Sequence, residues 1–266
     1  MSTARDVLIT GASRGLGLAL AREFASRGHD VTLVARDAGR LDQAVASVRA
    51  SAQGRIAGLP LDMAAPDAVP RLAAALAAAG NKPEVLVNNV AAAGVGAFAS
   101  QPAERLAETL ALNLRLPGEL AHHFLPGMIG RGRGGILNVA SLAGVVPVPG
   151  LALYSASKHY LVALSRAIAA EVAGTGVTVS VLLPGPIETE FPARAGQQAP
   201  NLLERLRAMP PDIVARVAYE GFAAGQTVIV PGLINMVYYA GIRVLPPALL
   251  MRGLRGTFMR GEGRTP

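Results

Sequence analysis

Val7-Leu8-Ile9-Thr10-Gly11-Ala12-Ser13-Arg14-Gly15-Leu16-Gly17 is a short apolar run that stops in a glycine-rich turn. The run suits a buried strand. Glycines 11, 15 and 17 allow a tight turn and bring backbone amides to the start of a helix, where a pyrophosphate can be cradled. The helix expected from Leu16 to about Arg27 is stopped by Gly28, and Val31–Ala35 repeats the strand pattern. Strand, turn, helix and strand within about 30 residues make a βαβ unit, which requires parallel pairing. The spacing is G-x-x-x-G-x-G rather than G-x-G-x-x-G, so the turn alone is weak evidence for a nucleotide.

The alternation continues outward. Helices are expected at 37–49, 67–79, 103–128, 152–173 and near 211–224, with strands at 56–60, 85–87, 136–139, 177–183 and 228–230. No strand alternates in polarity, so the sheet is buried on both faces. The fold class is α/β, a Rossmann-like doubly wound parallel sheet of about seven strands. Residues 1–232 read as one domain, and 233–266 as an apolar and basic C-terminal extension. One long irregular segment, 188–210, reads as a lid.

Composition narrows the chemistry. The chain has 266 residues, 51% hydrophobic and only 4% aromatic, with no Cys and no Trp. Disulfides and thiolate metal sites are excluded, and a cytoplasmic location is expected. No signal peptide is expected. His29, His122, His123 and His159 lack metal-ligand spacing and read as surface or packing residues. The net charge of +7 is concentrated in the last 24 residues, with five arginines against one glutamate. That is a basic tail rather than a nucleic-acid face, and no nucleic-acid partner is expected.

The end of the second strand selects the nucleotide. A carboxylate there would hold a ribose 2′-hydroxyl, but Arg36 stands 19 residues after Gly17. A guanidinium suits a 2′-phosphate, and Arg14 lies near enough to help. NADP(H) is therefore the expected cofactor. The alternative is that both arginines are merely solvated while Asp37 turns inward to hold NAD(H).

Tyr154-Ser-Ala-Ser-Lys158 places a phenol and an ammonium one helical turn apart on one face. A tyrosine ionises near pH ~10, and a nearby cation is expected to draw that value toward neutrality. Asn113 precedes Pro117 by four residues, so its carbonyl loses an N–H partner and the long helix should kink there. The freed carbonyl could hold a water, or the kink could serve packing alone.

Taken together, Thr10–Gly17, Asn88-Asn89, Asn113, Ser141, Tyr154–Lys158 and Pro184-Gly185-Pro-Ile-Glu-Thr189 resemble the short-chain dehydrogenase/reductase family over residues 5–232. The resemblance implies catalytic roles for Asn113, Ser141, Tyr154 and Lys158. Ser141 would position a substrate carbonyl, Tyr154 would give it a proton, and Lys158 would tune Tyr154 and hold the nicotinamide ribose. Asn113 would join a proton relay. Gly11, Ser13, Arg14, Gly15, Leu16, Gly17, Arg36, Asp62, Met63, Asn89, Tyr154, Lys158, Pro184, Gly185, Ile187 and Thr189 would bind the cofactor, with Asp62 and Met63 beside the adenine. The sequence departs from the family's Asn-Asn-Ala-Gly at Asn88-Asn89-Val90-Ala91, where Val90 removes a flexible position near the cofactor.

The implied activity is reduction of a hydrophobic ketone or aldehyde, or oxidation of the alcohol. The alternatives are a 3-ketoacyl or lipid reductase at a membrane surface and a non-catalytic NADP(H) sensor. The family commonly forms homodimers or homotetramers. Asn235, Arg243, Pro246 and Pro247 interrupt the apolar tail, so no spanning helix is expected. The tail would pack over the cleft or a subunit interface, lie on a membrane surface with its arginines toward anionic lipid, or be partly disordered.

Overall fold

A computed structural model describes residues 5–191, 195–196 and 206–244. The strands are β1 (Asp6–Thr10), β2 (Asp30–Ala35), β3 (Ile56–Pro60), β4 (Val85–Asn88), β5 (Gly134–Val139), β6 (Val177–Leu182) and β7 (Val228–Ile229). They form one parallel sheet in the order β3-β2-β1-β4-β5-β6-β7. The order reverses between β1 and β4, and in such sheets ligands bind at the carboxyl edge of that reversal.

The helices are α1 (Gly15–Ser26), α2 (Ala38–Arg49), α3 (Ala68–Ala78), α4 (Ala103–Leu110), α5 (Leu116–Gly130), α6 (Ala152–Glu171), α7 (Pro211–Ala223) and α8 (Leu233–Val244). One layer packs α1, α2 and α7 on the sheet through Leu16, Leu20, Phe24, Leu41, Val48 and Phe222. The opposite layer buries Leu72, Leu76, Leu116, Leu120 and Met128 against Leu8, Leu86 and Ile136. Because both faces are covered, the central strands carry apolar side chains on each side.

Local signals explain the element ends. Gly28 has φ +86°, and the amides of Gly28 and His29 return to the Ala25 and Phe24 carbonyls, closing α1 as a left-handed cap. Asp37 caps α2 by accepting the Arg40 amide at 3.0 Å. His29 is a packing residue: its Nδ1 accepts the Arg5 amide, and its Nε2 lies 3.1 Å from the Tyr219 hydroxyl.

One expectation changes. The helix expected over 103–128 is interrupted by a π-helical turn, Ala111–Arg115, in which the Leu116 amide reaches back five residues to Ala111. Pro117 offers no amide, so the extra residue is accommodated there. Of the alternatives for the segment after residue 232, its first twelve residues take the packed one, because α8 lies on the carboxyl edge of the sheet. Tyr238 and Tyr239 meet the cluster of Ala140, Val181 and Leu183, and Ile242 is buried against Val146 and Val148. Arg252, Arg255 and Arg260, and much of 188–210, lie outside the described residues.

Candidate active site

The glycine turn is held by two side chains. Thr10 Oγ1 accepts the Asn89 and Val90 amides at 3.1 and 3.2 Å. Asn89 Nδ2 donates to the Thr10 and Gly11 carbonyls at 2.9 and 3.1 Å. A Cβ on Gly17 would run into the Gly11 carbonyl and this amide, and one on Gly11 would press on Val90 while its φ stays at +66°. These positions accept only glycine without displacement. Val90 therefore packs against the turn, and the departure from Asn-Asn-Ala-Gly leaves the close approach intact. Arg14, the N-cap of α1, is extended and makes no side-chain cap bond, so the first amides of the helix face outward for a ligand anion.

Around this turn the expected cofactor residues are arranged unevenly. Ser13, Arg14 and Gly15 are partly exposed, whereas Leu16 is buried in the core. Arg36 is exposed just past β2 and makes no ion pair with a described residue. Asp37 is engaged as the α2 cap. Asp62 is exposed and accepts the Ala64 amide at 3.0 Å, but the Met63 side chain is buried in the core, so only its backbone can face a ligand. Arg115 holds this loop by donating to the Ala64 and Ala65 carbonyls.

Pro184 and Gly185 follow β6, and Ile187 pairs with Met209, where the lid segment returns. Thr189 rests against Gly15, and Glu190, exposed like Glu188, lies 3.6 Å from Arg14.

Across the cleft, α6 presents Tyr154 and Lys158. Ser141, just past β5, is hydrogen-bonded to the Tyr154 hydroxyl and accepts the Ala143 amide at 3.1 Å. Lys158 is 3% exposed; its Nζ donates to the Val139 carbonyl at 2.9 Å and lies 5.6 Å from the Tyr154 ring centre. Burial pushes Tyr154 up to about 12, with the Ser141 bond acting the other way, and burial pulls Lys158 down to about 8. This corrects the expectation of a tyrosine drawn toward neutrality. The ammonium is aimed at a carbonyl rather than at the phenol oxygen, so desolvation prevails. A tyrosine in this state keeps its proton at neutral pH and is set up as an acid.

Asn113, 2% exposed, is clamped by three bonds. Its Oδ1 accepts the Ala92 amide at 2.9 Å, and its Nδ2 donates to the Ala92 carbonyl at 2.8 Å and to Ser157 Oγ at 3.0 Å. Ser157 in turn donates to the Tyr154 carbonyl at 2.7 Å. The side chain of Asn113 thus fixes the strand-end loop to the first turn of α6, and its carbonyl is deprived of the Pro117 amide. Behind it, a small cavity is lined by Thr10, Asn88, Asn113, Pro117, Lys158 and Leu161. Asn88 donates to Asn138 at 2.8 Å, while its buried Oδ1 has no partner among the described residues.

The family model described as short chain dehydrogenase matches residues 5–200, most of the chain. The chain belongs to the short-chain dehydrogenase/reductase family. It is an oxidoreductase, and the seven-stranded Rossmann-like sheet is that family's fold. The ketoacyl reductase HetN of a Nostoc species is 35% identical over 201 residues, 75% of this chain and 70% of that protein. A short-chain dehydrogenase from Sphingobium yanoikuyae, solved with NADPH, is 30% identical with a TM-score of 0.80, covering 98% of this chain and 99% of that one. A bulky-bulky ketone specific alcohol dehydrogenase from Comamonas testosteroni is 25% identical with a TM-score of 0.77, covering 98% of each chain.

Two features of this family member escaped the sequence reading. Ser157 reads in the sequence only as part of the Tyr-Lys motif, although a small polar residue three positions after Tyr154 and next to Lys158 is the signal that marks it. Asn235 reads in the sequence only as a break in an apolar run. It is 2% exposed; it accepts from Arg207 Nε at 3.1 Å, donates to the Pro231 carbonyl at 3.0 Å, and fills the space a side chain on Gly185 would need. Arg207 also stacks 3.9 Å above the Tyr238 ring. One helix therefore fastens both Pro184-Gly185 and the returning lid.

No helix among the described residues is long and apolar enough to cross a membrane, and no metal-holding cluster occurs among them.

Proposed function

We propose that this chain is an NADPH-dependent reductase of apolar ketones, acting in reverse as an alcohol dehydrogenase. The observation that carries the reading is the convergence of Ser141, protonated Tyr154 and buried Lys158 at the carboxyl edge of the sheet, opposite a turn that only glycine can form. The residues fit a nicotinamide dinucleotide. The glycine turn and the open α1 amides suit its pyrophosphate, and Arg14 and Arg36 suit a 2′-phosphate. When bound, the cofactor supplies the hydride that reaches the carbonyl carbon.

The chain's own residues do the rest. Ser141 orients the substrate oxygen, and Tyr154 delivers a proton to it as negative charge develops. Lys158, protonated below pH about 8, stabilises the phenolate left behind. The cavity between Asn113, Asn88 and Lys158 has the polar lining that a relaying water requires, which supports reprotonation from that side. Asn113 positions the relay. Phe191, whose ring centre is 6.0 Å from that of Tyr154, and Phe98, Leu106 and Leu153 beside it supply apolar walls. They support a hydrophobic substrate.

The same reading includes a homodimer or homotetramer built on the long helices α5 and α6, which sedimentation measures. The HetN likeness favours one second reading, a ketoacyl substrate. A panel of apolar ketones, ketoacyl thioesters and small charged ketones, followed by NADPH absorbance, separates them; turnover confined to small charged ketones would sink the apolar reading. Arg36→Asp should raise the KM for NADPH far more than that for NADH. Equal changes would remove the 2′-phosphate assignment.

A further inference from the structure

Helix α8 has two faces of different use. Inward, Asn235, Tyr238 and Ile242 brace the cleft. Outward, it exposes Leu233 (75%), Ile234 (56%), Met236 (52%), Val237 (65%) and Val244 (84%). Five large apolar side chains left in water along twelve residues are more than chance scatter, and a patch of this kind marks an interaction surface. We propose that this face lays the protein on an anionic membrane surface, so that an apolar ketone enters the cleft from the bilayer.

Charge selects the occupant. Helix α8 contains no acidic residue, and the 22 residues after it hold Arg252, Arg255, Arg260 and Arg264 against the single Glu262. Anionic lipid attracts such a run. A twofold contact between two copies of the same face would bring two basic segments together, and like charges disfavour it. Length selects the mode. Twelve helical residues span about 18 Å, short of the ~30 Å hydrocarbon core, so the helix lies in the interface plane.

Position supplies the consequence. Ile242 and Tyr238 pack in one cluster with Val145, Val146, Val148 and Leu151, in the loop that joins Ser141 to Tyr154, so the docking helix is seated directly on that loop. The docking stands on this surface alone; the route of entry rests on the reductase reading.

Flotation of the full chain with vesicles of phosphatidylcholine, and of phosphatidylcholine mixed with phosphatidylglycerol, tests the proposal. Binding to the mixed vesicles, weakened by salt, is expected. Leu233→Glu combined with Val237→Glu should lower the bound fraction about tenfold, while NADPH-dependent turnover of a small water-miscible ketone is unchanged. No flotation with either vesicle, or flotation that the double substitution leaves intact, overturns the docking. So does a lipid-free dimer that the double substitution dissociates, which would make the face a contact between copies. Flotation without turnover of any ketone keeps the docking and overturns the entry route.

Discussion

Replacing Asn113 with leucine removes the amide without greatly changing its volume. The Ala92 amide and carbonyl, both in a buried loop, then lose the one side-chain partner they have among the described residues, and Ser157 loses its donor. Each stranded backbone group costs about 1–3 kcal/mol, so the loss should be about 2–6 kcal/mol from the two groups of Ala92. Against a total stability of about 5–15 kcal/mol that is severe. Ser157→Ala should cost only about 1 kcal/mol, because Asn113 Nδ2 keeps the Ala92 carbonyl. Asn113→Asp should fall between, since one carboxylate oxygen still accepts the Ala92 amide while the other faces a carbonyl. Urea unfolding of the four proteins without cofactor, read by circular dichroism, measures the series. If Asn113→Leu unfolds within about 0.5 kcal/mol of the parent yet loses activity, the clamp is not a structural element. The asparagine would then act through chemistry alone.

Three further outcomes are expected. Tyr154→Phe should lower kcat by about 10²–10⁴ with NADPH affinity preserved, and equal loss of both would deny it the proton transfer. Reduction should weaken as pH rises through about 8, where Lys158 loses its charge, and Lys158→Arg should move that limb upward in a kcat/KM profile. The sign for stability is opposite: burial lowers this lysine from 10.5, so it destabilises the fold below about 8, and that cost fades as pH climbs toward 10.5. Lys158→Met should thus raise the melting temperature at pH 7 while abolishing turnover; a lowered one would contradict the burial argument. Asn235→Ala strips partners from Arg207 and the Pro231 carbonyl, so it should cost about 2–4 kcal/mol and raise the KM for NADPH. An unchanged KM would detach α8 from the cofactor side of the cleft.

How much of this was legible in the sequence follows from the range of each interaction. Strand positions and the glycine turn are local or periodic signals, and every expected strand is present within two residues at its ends. Pro117 marked the disrupted helix because a missing amide is written into the residue type, although the form it takes, a π turn, depends on how α4 and α5 pack. The Tyr154 ionisation was misjudged because spacing places Lys158 on the same face but does not aim its Nζ; the Val139 carbonyl, 19 residues away in the chain, does that. Asn235 was illegible for a similar reason. Its partners Arg207 and Met209 are brought to it by the returning lid, and no pattern in the apolar run announces them.

These limits divide the cleft into two kinds of surface. Its cofactor and proton-transfer side is formed at the carboxyl edge of the sheet, from the glycine turn to Pro184-Gly185, by motifs that carry their own chemistry, with Asn235 of α8 seated against Gly185. On the proposed reading its substrate side is built from residues 94–109 and Phe191, with the 145–151 loop backed by α8, which lies beyond the stretch matched to the family. On the reductase reading, binding energy for a particular ketone must come from that second side, because Ser141 and Tyr154 would contact only the carbonyl oxygen that every ketone shares. Substrate preference should therefore follow changes in α8 and the 94–109 wall while leaving the Tyr154 chemistry intact. An exchange of α8 that altered the ketone ranking without altering the pH profile is the result this division requires.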